Sequence, residues 1–204
     1  MSLLDKVVAA VTPLESDLRR AEARQKAESS ATAGDWLSLV LQHHRQIEAA
    51  FAAVRTATDS GSRVSAQKRL ALLLTAHSIA EEAVLYPALV KADEEGHSTK
   101  AYAEQSAAKV QMGLLEDLAP MSQEYLDKLE HIRGAVAHHV YEEEGNWFLE
   151  LKRGLPAPAQ VKLTFRYQEE FSRYTQVVEN EESERVNSRS LDRESDAIGR
   201  VDTN

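Results

Sequence analysis

The segments HSIAEEAVLYPAL (77–89) and HVYEEEGNWFLEL (139–151) decide how this chain folds. In the first, Leu70, Leu74, His77, Glu81 and Val84 recur at steps of three and four, so they share one face of a helix. In the second, Leu129, Ile132, Val136, His139, Glu143 and Trp147 do the same. Each stripe should be apolar, yet each carries a His and, four residues on, a Glu. One H-x-x-x-E pair is ordinarily a surface ion pair. Two pairs, each on a core stripe, are not explained that way. The segments also align with each other, matching the His, two successive Glu residues, an aromatic and the final Leu at an offset of 62 (139 − 77).

Upstream, Trp36, Val40, His44, Ile47, Phe51 and Val54 form a third stripe with a His among apolar neighbours, and His43 is nearly as well placed by angle. An offset of 61 from His44 (105 − 44) reaches Gln105, so the chain reads as two similar helix pairs with an amide at the fourth corner. No Lys or Arg occupies the stripes. A buried carboxylate without a partner costs several kcal/mol, so two Glu and three His aimed into one core call for a cation. Carboxylates can bridge two ions while imidazoles cap them. His97, beside Gly96, is expected to have no part in this.

Four long amphipathic patterns, roughly 35–58, 64–92, 98–119 and 122–152, are separated by Asp59-Ser60-Gly61, Gly96 and Pro120. Such short connections imply an all-α, up-down antiparallel four-helix bundle. Asp35 is placed to cap the first of these helices. Before it, residues 1–34 hold an amphipathic stripe of Leu4, Val7, Val11, Leu14 and Leu18, which Pro13 can kink, expected to pack on the outside. After it, residues 153–178 read as an additional helix with Phe165, Phe171 and Tyr174, docking on the bundle or on a second copy in a homodimer. Residues 179–204 carry eight acids, four bases and little to bury, the composition of a disordered acidic tail.

Composition narrows the chemistry. Only 8 Gly and 5 Pro interrupt a chain that is 43% hydrophobic and rich in helix formers, so no sheet is expected. With no Cys, disulfides, thiolate metal sites and cysteine nucleophiles are excluded, leaving His and carboxylate as the strong ligands. A formal charge of −9 argues against nucleic-acid and anionic-membrane partners. The opening MSLLDKVVAAV has Asp5 inside it and too short an apolar run for a signal peptide, so a cytoplasmic location is the expectation.

These motifs resemble the hemerythrin-like HHE cation-binding family over approximately residues 35–152. HHRQIEAAF (43–51) looks like the family's first-helix segment and selects His44 over His43; HSIAEEAVLYP (77–87) and HVYEEE (139–144) are similar to its second- and fourth-helix motifs. The resemblance implies the ligands His44, His77, Glu81, His139 and Glu143 around a non-haem di-iron centre, with another divalent metal as an alternative. It implies a protein that binds or senses dioxygen, nitric oxide or iron. In the third-helix segment EQSAAKVQMGLLEDL (104–118), Gln105 stands where the family carries His, so the two metals are expected to be unequal. Glu104, Glu142 and His138 are the neighbours able to compensate. Three alternatives compete: a di-iron oxidase or peroxide-reducing enzyme, a ferritin-like oxidase, and a metal-free helical interaction module. The ferritin-like signature is Glu-x-x-His, which this chain lacks.

Overall fold

The computed structural model describes residues 15–91 and 95–176. The stripe positions Leu4 to Leu14 and the acidic tail 179–204 lie outside them. The helices are α1 (Asp17–Ser30), α2 (Trp36–Thr56), α3 (Ser60–Ala80), α4 (Tyr86–Lys91), α5 (Glu95–Leu115), α6 (Gln123–Glu142), α7 (Phe148–Gly154) and α8 (157–176). Two π-helical turns, Glu81–Leu85 and Glu143–Trp147, join α3 to α4 and α6 to α7. Among the described residues there is no strand, and no helix is long and apolar enough to cross a membrane.

Local chemistry sets the boundaries. Asp35 caps α2, its carboxylate accepting from the Ser38 N–H at 2.8 Å and the Thr32 N–H at 2.7 Å, while Lys152 pairs with it at 2.6 Å. Gly34, at φ +82°, makes the turn before it in a conformation other residues adopt only under strain. Asp59 caps α3 in the same way, so Ser60 and Gly61 lie inside the first turn and not in a separating loop. Gly96 likewise falls within α5. At the far end of α2, buried Arg63 donates to the carbonyls of Val54 and Ala57, groups that a helix terminus leaves unpaired, and to that of Pro120.

Helix α2 packs along α3 and α5 along α6, and the pairs meet through α2 against α6 and α3 against α5. Two apolar layers result. One contains Ile47, Phe51, Leu70, Leu74, Leu115, Leu129 and Ile132; the other contains Trp36, Val40, Leu41, Val84, Leu89, Trp147 and Phe148. Each large apolar side chain removed from water stabilises the fold by about 1.5–3 kcal/mol. Along each long helix the His, Glu and Gln positions fall between the two layers, so a polar layer is held between them. Helix α1 packs on the second π turn, burying Ala23 and Ala27, and Leu18 is 69% exposed, contrary to the expected stripe. On α8, Phe165 is also 69% exposed; the buried residue is Tyr167.

Candidate metal centre

Helix phase brings His44, His77, Glu81 and Glu143 together, all buried, with one donor atom from each lying within 4.8 Å of the others. His77 Nε2 is 3.2 Å from Glu81 Oε1, and His44 Nε2 is 3.3 Å from Glu143 Oε2 and 3.9 Å from Glu81 Oε1. His139, also buried, reaches the other side of the pair, its Nε2 3.2 Å from Glu143 Oε1. Gln105 is buried beside them, donating from Nε2 to Glu81 Oε2 at 2.6 Å. His43 is not part of the cluster; its Nδ1 meets the Tyr167 hydroxyl at 2.9 Å and its ring stacks on Phe171 at 3.6 Å.

The π turns explain a residue that helical spacing misses. An i→i+5 turn from Glu81 sets the Tyr86 N–H on the Glu81 carbonyl and so stacks Tyr86 over Glu81. The Tyr86 hydroxyl sits amid the polar layer, 3.0 Å from Glu143 Oε1, 3.1 Å from His139 Nε2 and 2.6 Å from Gln105 Nε2. The second π turn does the same for Phe148 over Glu143, and Phe148 has no hydroxyl. The internal echo thus extends to the backbone, while the two halves differ in the Tyr86 hydroxyl as well as in Gln105 opposite His44.

Each imidazole is oriented from behind. His44 Nδ1 meets Glu144 Oε1 at 2.8 Å, and Arg24 grips both oxygens of Glu144. His139 Nδ1 meets Glu104 Oε2 at 2.8 Å. His77 Nδ1 meets the Tyr167 hydroxyl at 3.1 Å. Carboxylates on Nδ1 select the tautomer that leaves the Nε2 lone pair facing the centre, the usual arrangement behind metal-bound histidines. Of the neighbours considered as compensating, Glu104 therefore acts through His139, Glu142 pairs with Lys100 at 2.7 Å, and His138 faces a cavity. Glu144, Arg24 and Tyr167 were not singled out by sequence reasoning. The EEE run at 142–144 was the available sign for Glu144; for Arg24 and Tyr167, contributed by flanking helices, there was none.

Electrostatics show what the cluster lacks. Burial, followed by the charge of Glu143, pushes the Glu81 carboxyl up to about 7. Burial also opposes ionisation of Glu143, but His139 and His44 hold it well below the usual carboxylate range. Burial disfavours the imidazolium at His139, yet Glu143 and Glu104 raise it to about 10; the adjacent carboxylates of Glu143, Glu144 and Glu81 raise His44 likewise. His77 is driven well below its ordinary value by burial and by His44. Without a metal, the positive charge next to Glu143 must come from protons on imidazoles, and a metal at these atoms has to release those protons.

The fit to a metal rests on atoms without partners. His44 Nε2, Glu81 Oε1 and Glu143 Oε2 are buried, face one another and have no hydrogen-bond partner. Leaving one such atom unsatisfied costs about 1–3 kcal/mol, more when charged. Two imidazole nitrogens and two carboxylate oxygens suit a borderline or hard divalent ion such as iron, zinc or manganese.

The HSI…LYP tether to Tyr167 gives a test of this architecture. Tyr167→Phe keeps the apolar packing and removes the support of His77 Nδ1, so metal affinity is expected to fall about tenfold, the lower end for losing an outer partner. Competition against a coloured chelator measures it; an unchanged affinity means that α8 contributes packing alone.

A DNA nickase from Nostoc sp. (strain PCC 7120) is 34% identical over 82 residues, which are 40% of this chain and 23% of that protein. The chain thus spans about a quarter of the length of the curated relative it matches. No solved structure matches. The hemerythrin HHE cation-binding domain family matches residues 36–151, more than half of the chain and the span that holds all the clustered His and Glu donors. This protein belongs to the hemerythrin HHE cation-binding domain family.

Proposed function

We propose that the chain holds a non-haem di-iron centre of unequal ions and uses it to bind or sense dioxygen, nitric oxide or iron. The observation that carries this is the set of facing, unpartnered donor atoms on His44, Glu81 and Glu143 beside His77 Nε2. His44, His77, Glu81 and Glu143 would hold the tighter ion. His139, with Glu81 and Glu143 and with Gln105 adjacent, would hold the weaker one, beside the Tyr86 hydroxyl. Iron bound there would supply redox chemistry and affinity for a small ligand; the chain's residues would hold the ion, orient the imidazoles and exclude water with the apolar layers on either side. The bundle itself is read as residues 35–152 in up-down order, with 1–34, 153–178 and the tail 179–204 as additions.

The test is iron analysis with visible absorption on protein loaded without oxygen and then exposed to air. Two irons per chain and an absorption change on exposure support the reading; no iron after anaerobic reconstitution ends it. Gln105→His adds an imidazole beside the weaker ion and is expected to tighten the second of two separable affinities while shifting the spectrum. Unchanged affinity, stoichiometry and spectrum would reject unequal ions.

The relative named a DNA nickase favours a second reading, metal-assisted cleavage of a phosphodiester. The charge of −9 weighs against a nucleic-acid surface. Metal-dependent relaxation of supercoiled plasmid by the loaded protein, abolished by Glu81→Gln, would favour it over the diatomic-ligand reading.

A further inference from the structure

Each of the two central carboxylates is hydrogen-bonded through one oxygen and not through the other. Gln105 Nε2 donates to Glu81 Oε2 and to the Tyr86 oxygen, both at 2.6 Å, and the Tyr86 hydroxyl donates to Glu143 Oε1 at 3.0 Å. The same hydroxyl lies 3.1 Å from His139 Nε2 and 3.3 Å from Glu81 Oε2. The opposite oxygens, Glu81 Oε1 and Glu143 Oε2, make no hydrogen bond and face His44 Nε2, which makes none either. An ion on the His44 side therefore breaks no hydrogen bond to Tyr86 or Gln105. An ion taken up by His139 Nε2, Glu81 Oε2 and Glu143 Oε1 meets three donors that already converge on one hydroxyl.

That hydroxyl is held in place. The Tyr86 ring is fully buried, its N–H is tied to the Glu81 carbonyl by the π turn, and it packs edge-on against Tyr102 at 5.1 Å. The equivalent residue of the second π turn is Phe148, so that half supplies no hydroxyl. Access is not what separates the two positions, because a cavity of about 380 Å³ lined in part by Gln105 and His139 gives the Tyr86 side an entry path.

We propose that the Tyr86 hydroxyl competes with the second ion for His139, Glu81 and Glu143, and so sets how much more weakly that ion binds than the first; the competition presupposes that the cluster is a metal centre. Displacing a hydroxyl hydrogen-bonded to a carboxylate costs the second ion part of its binding free energy. The first ion does not meet this cost.

Anaerobic titration of the full-length chain with ferrous iron, in competition with a coloured chelator, measures the two affinities separately. Tyr86→Phe keeps the buried ring and removes the hydroxyl. The second affinity is expected to rise roughly tenfold or more, the scale of one hydrogen bond to a charged group, with the first changed by less than about twofold. If thermal melting shows that Tyr86→Phe does not fold, Tyr86→Leu, which also lacks the hydroxyl, decides with the same expected sign. An unchanged second affinity overturns the proposal, as does an equal gain at both positions, which a general effect on packing would produce. A weaker second affinity overturns it too, since the hydroxyl would then be a ligand. Two irons in the parent with no gain in the variant would leave the di-iron reading standing. One iron in the parent and two in Tyr86→Phe would support the competition and remove that reading, so the two failures are distinguishable; no iron in either ends both.

Discussion

Replacing Glu81 by Gln is expected to remove metal binding while leaving the metal-free protein at least as stable as the parent. Glu81 faces His77 and His44 across the centre with Oε1 making no hydrogen bond, and its carboxyl is pushed up to about 7 chiefly by burial. A carboxamide has the same shape and no charge to desolvate, so the fold loses nothing it depends on. A metal held there would lose a negatively charged donor. The loss in affinity should exceed the roughly 10–100-fold that follows from deleting an outer partner. His77→Ala and Glu143→Ala should also lower iron content, and His97→Ala should not. Iron content per chain and melting of the metal-free forms give the two readouts. Retention of full iron by all three site variants would defeat the assignment of these residues as ligands. Loss of stability in metal-free Glu81→Gln would show instead that the carboxylate is there to build the core.

Removal of metal is expected to lower the melting temperature by roughly 5–10 °C. A ligand that binds the native state alone stabilises it by RT ln(1 + [L]/Kd), about 2.7 kcal/mol at a hundredfold excess over Kd. For a chain of this size each kcal/mol moves the midpoint by about 2–4 °C. The structural basis is the polar layer between two apolar ones, where three buried donor atoms make no hydrogen bond. Thermal melts of protein verified as metal-free and as loaded, at one protein concentration, provide the check. Coincident melts would favour a helical interaction module in which the buried His and Glu residues are not ligands.

These expectations rest on two kinds of information. Periodicity marked the side chains that point inward. Steps of three and four put His44, His77, Glu81, His139 and Glu143 on core stripes, and the internal offset located Gln105; all six are buried in the polar layer. Asp35 as a helix cap was equally legible, because capping is a local interaction between a side chain and the N–H groups a few residues on. The helical class followed from composition and pattern alone.

What periodicity leaves undetermined is contact between helices and any departure from 3.6 residues per turn. Tyr86 is five residues past Glu81, off the stripe for a regular helix, and the π turn rotates it inward. Gln105 emerges as a donor to Glu81 and Tyr86, an orientation set by neighbours on another helix. Arg24 and Tyr167 come from helices outside the matched span, yet they hold Glu144 and His77. Among the aromatics of α8, Phe165 is exposed and Tyr167 is fully buried, a difference that the sequence pattern left open. The sequence by itself determined the helical class and the inward-facing His and Glu, since those features depend on the angle between neighbours along one helix. Which partners orient each imidazole, what fills the space beside Glu143 and how large a cavity adjoins it were decided by tertiary packing, because they depend on distances between residues far apart in the chain.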